Sequence, residues 1–167
     1  GWAAAPHGVQ VHGIELMPRD VERARTALAH LGERARFTLG NMCTADFGQA
    51  DVAVILDVLH YVDYQAQEDV LRRVQATLAP GGTLLLRVGD ASAGLPFRIS
   101  NWVDAAVTFV RGHRLSRLYC RTLDDWQTLL RALGFAVEAI PMHQGTPFAN
   151  ILLVARLAPP AGSGNGG

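Results

Sequence analysis

The chain has no lysine, no net charge and only two cysteines. Its fifteen cationic side chains are all arginine, scattered without a run, and fifteen carboxylates balance them. A neutral chain with no basic cluster argues against a nucleic-acid partner, because such binding rests on neutralising phosphates. Cys43 and Cys120 lie far apart and make no CxxC pair, so no metal site is expected. They read as two small buried hydrophobes. No apolar run approaches the ~20 residues of a membrane span, and no signal peptide opens the chain. A cytoplasmic setting is the resulting expectation. An initiator methionine is missing as well, and a first strand comes almost at once. This reads as a fragment.

What is present is a globular composition: 167 residues, 49% hydrophobic and 18% charged. That length fits one domain with a substantial core. Val9–Ile14 reads as a buried strand that ends at Glu15. Pro18 suits a first helical position, where its missing N–H costs nothing. Val21, Ala24, Leu28 and Leu31 then recur at helical spacing until Gly32 stops the helix. Ala35–Leu39 is a short second strand, closed by Gly40-Asn41-Met42.

The run Val52–Leu56, ending at Asp57, is nearly continuous in apolar residues. It reads as a parallel strand covered on both faces. A helix is expected over Tyr64–Leu78, with Val70, Leu71, Val74 and Leu78 inward and Arg72, Arg73 and Gln75 outward. Pro80-Gly81-Gly82 marks a turn, and Thr83–Val88 the next strand. Residues 91–120 read as a lid insert with Phe97, Trp102 and Phe109 on an apolar surface.

Thr122-Leu-Asp-Asp125 resembles a capping box ahead of a helix whose inner face is Trp126, Leu129, Leu130 and Leu133. Phe135–Ile140 and Phe148–Ala155 are joined by a short Pro/Gly loop, which makes them an antiparallel pair. Residues 158–167 are too rich in glycine and proline to bury apolar surface and read as a disordered tail. The alternation of strands and helices implies an α/β sheet that is mostly parallel, with right-handed crossovers.

Ligands of such sheets bind beyond the carboxyl ends of the strands, where a carboxylate can accept both hydroxyls of a ribose. Glu15 stands at such an end. The doubly wound order with its final hairpin resembles the class I S-adenosylmethionine-dependent methyltransferases, in their small-molecule branch. Val-His-Gly-Ile-Glu15-Leu-Met looks like that superfamily's ribose-binding motif. Phe37-Thr-Leu-Gly-Asn-Met42 looks like its adenine segment. Ala50-Asp-Val-Ala-Val-Ile-Leu-Asp-Val-Leu-His-Tyr-Val62 and Leu78-Ala-Pro-Gly-Gly-Thr-Leu-Leu-Leu86 look like the fourth motif and the turn and strand after it. The match covers roughly residues 9–156.

The resemblance implies a Rossmann-like domain over residues 1–157 and S-adenosyl-L-methionine as cofactor. Two departures stand out. The family's glycine-rich first motif and its strand are absent, which implies that the chain starts just after that loop. The family's strand would lie between the strands ending at Glu15 and Asp57. Asn41 stands where the family commonly has Asp, although its side-chain carbonyl still accepts from an amino group.

The cofactor residues carried over are therefore Glu15 for the ribose, Leu16 against the adenine face, Asn41 and Met42 at the adenine edge, and Asp57 near the methionine part. Leu16 reads equally well as ordinary packing, Asn41-Met42 as a turn, and Asp57 as a cap for the next segment of chain. His60, three residues past a strand end, is the candidate base, since imidazole titrates near working pH. The other reading is a histidine packed against Tyr61 and the lid.

The partner implied is a small acceptor, hydrophobic or aromatic, methylated at oxygen or carbon, with no nucleic acid and no membrane span. The competing readings are a non-catalytic or truncated relative and a nicotinamide-dependent reductase. For the chain as it stands, weak cofactor binding or none is expected.

Overall fold

The computed structural model describes residues 8–91, 118–142 and 150–158. Residues 92–117 of the expected lid, with Phe97, Trp102 and Phe109, and residues 159–167 of the expected tail lie outside them. The chain divides into two compact units, Gly1–Asp46 and Phe47–Gly167.

The first unit holds β1 (Val11–Glu15), α1 (Pro18–Ala27) and β2 (Ala35–Leu39). β1 and β2 are parallel, with Gly13 opposite Phe37 and Glu15 opposite Leu39. Gly13 is required by this register: a Cβ there would lie 2.5 Å from the Phe37 ring. α1 starts at Pro18 as expected, but it ends at Ala27, short of Leu31. A 3-10 segment, Ala29–Arg34, replaces its last turn and is kinked at Gly32, where φ is 56°. Glycine adopts this left-handed backbone at little steric cost. Arg25 ties the helix to β2 by donating to the Phe37 carbonyl at 2.8 Å.

Among the described residues the second unit forms a four-stranded sheet in the order β3-β4-β6-β5. β3 is Ala50–Leu56, β4 Leu78–Gly89, β5 Phe135–Pro141 and β6 Asn150–Leu157. β3 and β4 are parallel. β6 runs antiparallel to both its neighbours. The final hairpin thus inserts its second strand beside β4 and leaves β5 outside.

Pairing of β3 with β4 jumps from Ala50–Leu78 to Val52–Thr83, so residues 79–82 bulge out of the ladder. Gly82 fits that bulge because a Cβ would lie 2.8 Å from the Ala79 carbonyl oxygen. Two helices accompany the sheet. α2 (Tyr64–Thr77) is capped by Asp63, whose side chain accepts from the Ala66 N–H. α3 (Leu123–Ala132) is capped by Thr122 with the full reciprocal box to Asp125.

The core of this unit combines Val70, Leu71 and Val74 of α2, Leu84, Leu86 and Val88 of β4, Trp126 and Leu130 of α3, and Leu153 and Ala155 of β6. The expectation that β3 is covered on both faces is corrected. Val52, Val54 and Leu56 alternate along β3 and so share one face, and they are exposed at 52%, 52% and 45%. A continuous apolar run does not reveal which neighbours a strand obtains. Arg73 also departs from the outward reading, lying half-buried over the Phe47 ring at 4.5 Å. Cys43 and Cys120 are half-buried rather than buried.

Candidate functional site

In the first unit the candidate residues lie at the two strand ends. Glu15 is the last residue of β1, and its Oε1 accepts from the N–H groups of Leu16 (2.8 Å) and Met17 (3.2 Å). These bonds turn the carboxylate back over the strand-to-helix connection and fix its position. Oε2 takes no hydrogen bond among the described residues. Leu16 is 60% exposed, an uncovered apolar side chain directly beside that carboxylate in the chain.

Asn41 comes after Gly40, whose N–H continues the ladder by donating to the Glu15 carbonyl at 3.0 Å. The Asn41 side-chain oxygen accepts from the Cys43 N–H at 2.9 Å, and its carbonyl accepts from Thr44 and Ala45. Asn41 therefore opens a turn built on its own side chain. One lone pair of Oδ1 is committed there, and the amide NH2 remains as a donor. Met42 is half-buried within this turn. His12, inside β1, pairs with the Thr38 hydroxyl at 3.0 Å, as a structural histidine would.

In the second unit Asp57 closes β3. Its N–H makes one further ladder bond, to the Arg87 carbonyl at 3.1 Å. The chain then turns sharply, for Asp57 has φ 55°, the one non-glycine residue with positive φ in the described chain. Aspartate tolerates this conformation better than most residues, yet it still costs stability. Arg87, the neighbour on β4, donates from Nε at 2.7 Å and from a terminal nitrogen to the same oxygen, Oδ2. That bond raises the Arg87 pKa above its ordinary value, against the opposing effect of burial. Oδ1 is left without a hydrogen bond among the described residues.

His60 sits on the 3-10 turn Leu59–Tyr61. Leu59 is 1% exposed and plugs this turn into the core. The imidazole lies 4.2 Å from the Tyr61 ring, and its Nε2 is shielded from solvent. The His60 carbonyl accepts from the Tyr119 N–H at 2.9 Å.

Three polar residues of this unit were not singled out from the sequence. Arg87 interrupts the apolar run of β4 one residue before Val88. Gln67 occupies the inward stripe of α2 with Val70, Leu71 and Val74, and is fully buried. Arg121 precedes the α3 cap and reaches back to α2. A polar residue inside an apolar pattern was the available signal for the first two.

Known proteins resemble this chain in sequence and fold. A family model described as a methyltransferase domain matches residues 1–84. The chemotaxis protein methyltransferase Cher2 of Pseudomonas putida is 40% identical over 52 residues, covering 31% of this chain and 19% of that protein. The mitomycin 7-O-methyltransferase MmcR superposes with a TM-score of 0.69 at 24% identity, over 90% of this chain and 42% of that one. An O-methyltransferase family protein from Burkholderia thailandensis gives 0.66 at 22% identity, over 90% and 44%. The chain thus spans less than half the length of these relatives, and the structures share its fold.

Proposed function

Because the chain belongs to the methyltransferase domain family, we propose that it serves methyl transfer from S-adenosyl-L-methionine to a small acceptor. The observation that carries this reading is the strand-end carboxylate of the first unit, Glu15. Glu15 is oriented by the Leu16 and Met17 N–H groups through Oε1, while Oε2 takes no hydrogen bond among the described residues. A ribose needs such an acceptor for its hydroxyls, and this carboxylate fits that need. Solved structures of the same fold include the S-adenosylmethionine-dependent methyltransferase SibL and human N-acetylserotonin methyltransferase in complex with SAM.

In this reading Glu15 Oε2 accepts from the ribose, and Leu16 offers apolar surface to the base. Asn41 and Met42 meet the adenine edge; in the second unit, Asp57 Oδ1 is the acceptor offered to an amino group. The bound cofactor supplies an activated methyl on a sulfonium. The protein's part is to align the acceptor and exclude water, which can account for much of the barrier reduction. Arg87 holds Asp57 in place. His60 takes the proton when the acceptor is a neutral hydroxyl. Its shielded Nε2 suits a group that works away from bulk solvent. The acceptor is a small hydrophobic or aromatic molecule, methylated at oxygen or carbon.

Titration calorimetry of the full-length protein with S-adenosyl-L-methionine tests the core of this reading, with NAD as the comparison. Binding of the former alone is expected, and silence at millimolar cofactor overturns it. For His60, the His60→Ala variant should lose turnover and the basic dependence of its pH profile. Unchanged turnover across pH removes it as a base.

A further inference from the structure

Gln67 is the one fully buried polar side chain among the described residues. Its amide Nε2 lies 3.1 Å from the Leu59 carbonyl, 3.1 Å from the Val62 carbonyl and 2.8 Å from the Tyr119 carbonyl. The first two acceptors bracket the turn that carries His60. The third belongs to a residue more than fifty positions away in the chain, whose own N–H donates to the His60 carbonyl. Only a donor can face three carbonyls, so the orientation of the amide is fixed by chemistry.

The other end of the amide is fixed as well. Its Oε1 accepts from Arg121 Nε at 2.9 Å. Arg121 then reaches Glu68 Oε1 at 2.9 Å and the Tyr64 carbonyl at 3.2 Å. Its guanidinium lies over the Tyr64 ring at 4.8 Å. The Tyr64 hydroxyl donates to the Cys120 carbonyl at 3.2 Å. Ala91 N–H donates to the Arg121 carbonyl at 3.3 Å, and Leu123 N–H to Asp90 at 3.1 Å. The chain leaving β4 and the chain entering α3 are thus tied together, and both are tied to the first turn of α2.

We infer that Gln67, braced by Arg121, is the positioning residue of the His60 turn and locks it to the segment Tyr119–Arg121. It acts through the backbone, without touching a reactant. Buried carbonyls must be paired, so loss of the amide donors releases the turn and the segment together. The inference rests on the proposed function only in giving His60 a role in turnover. The lock itself is independent of it.

The Gln67→Glu variant separates the two ends of the side chain. It keeps an acceptor for Arg121 and removes the donors to the three carbonyls. Hydrogen exchange of the full chain should quicken about tenfold or more at the Tyr119 and Val62 amides, with Val74 and Leu84 unchanged. The imidazole titration of His60, tracked by NMR, should move. In the cofactor-bound enzyme kcat should fall about tenfold, with the cofactor KM held within about twofold.

Arg121→Lys keeps the donors and weakens the brace. It should show the same exchange pattern at smaller amplitude, and it carries the test if Gln67→Glu does not fold. Unaltered Tyr119 exchange, or protection lost evenly through α2 and β4, overturns the lock. A parent protein that binds no S-adenosyl-L-methionine overturns the methyl-transfer reading instead, and the exchange pattern still decides the lock.

Discussion

Residues 8–46 and residues 47–158 are stabilised in different ways. The first set builds one parallel strand pair and one helix, and Val21 is its only buried hydrophobic residue in the described chain. The second builds a four-stranded sheet with two capped helices and a continuous core from Leu59 to Ala155. A two-stranded sheet with little covered surface is marginal by itself. The region that presents Glu15, Asn41 and Met42 is therefore held mainly by local hydrogen bonds, whereas Asp57 and His60 sit on a packed scaffold. The low-stability part is where a ligand adds most order.

The contrast is broken most directly by core truncation. Leu153 is fully buried in β6, and Leu153→Ala should cost about 2–5 kcal/mol in a denaturant titration. Phe37→Ala, at a half-buried position of β2, should cost about 1 kcal/mol. Equal losses would show that the two regions do not differ in how tightly they are packed.

Glu15→Gln comes next. It keeps an oxygen for the Leu16 and Met17 N–H groups but removes the charge, and a hydrogen bond to a charged group contributes about 1.5–3 kcal/mol. Cofactor affinity should fall about tenfold or more by calorimetry, at unchanged melting temperature. A large stability loss with intact affinity would make Glu15 a structural cap.

Thr122→Ala removes the α3 cap and should cost about 1 kcal/mol, read by thermal melting. The smallest effect lies in acid. Hydrogen bonds from the Thr122 hydroxyl and N–H hold the Asp125 carboxyl below its ordinary value of 3.8. A carboxyl lowered on folding contributes stability above its unfolded pKa and loses it as pH falls through the folded one. Asp125→Asn should therefore flatten the acid limb of stability below about pH 4. An unchanged limb would mean that the cap is indifferent to charge.

Much of this was legible in the residues. Pro18 started α1, Asp57 ended β3, and Thr122-Leu-Asp-Asp125 formed the capping box, because each depends on neighbours a few positions away. The end of α1 was misread since Leu28 and Leu31 kept helical spacing through a 3-10 segment. Spacing alone does not separate an α-helix from a kinked tighter turn. β3 was read as covered on both faces because its composition is apolar, and composition carries no record of what covers each face. The turn at Asn41 was one of two readings, and the structure shows its side chain committed to Cys43 N–H as a turn would require.

Local chemistry thus determined the order of elements, their caps, and the placement of Glu15 and Asp57 at strand ends. Periodicity of 2 or 3.6 residues and turn residues write these features into short windows of sequence. Tertiary structure alone decided that β6 lies between β4 and β5, that Arg87 grips Asp57 across a strand pair, and that Gln67 joins the His60 turn to Tyr119. The β4–β6 pairing, the Arg87–Asp57 pair and the Gln67–Tyr119 bond each join residues thirty or more positions apart. Such contacts form only once strand order and register bring them within hydrogen-bonding reach, and no local pattern encodes that order.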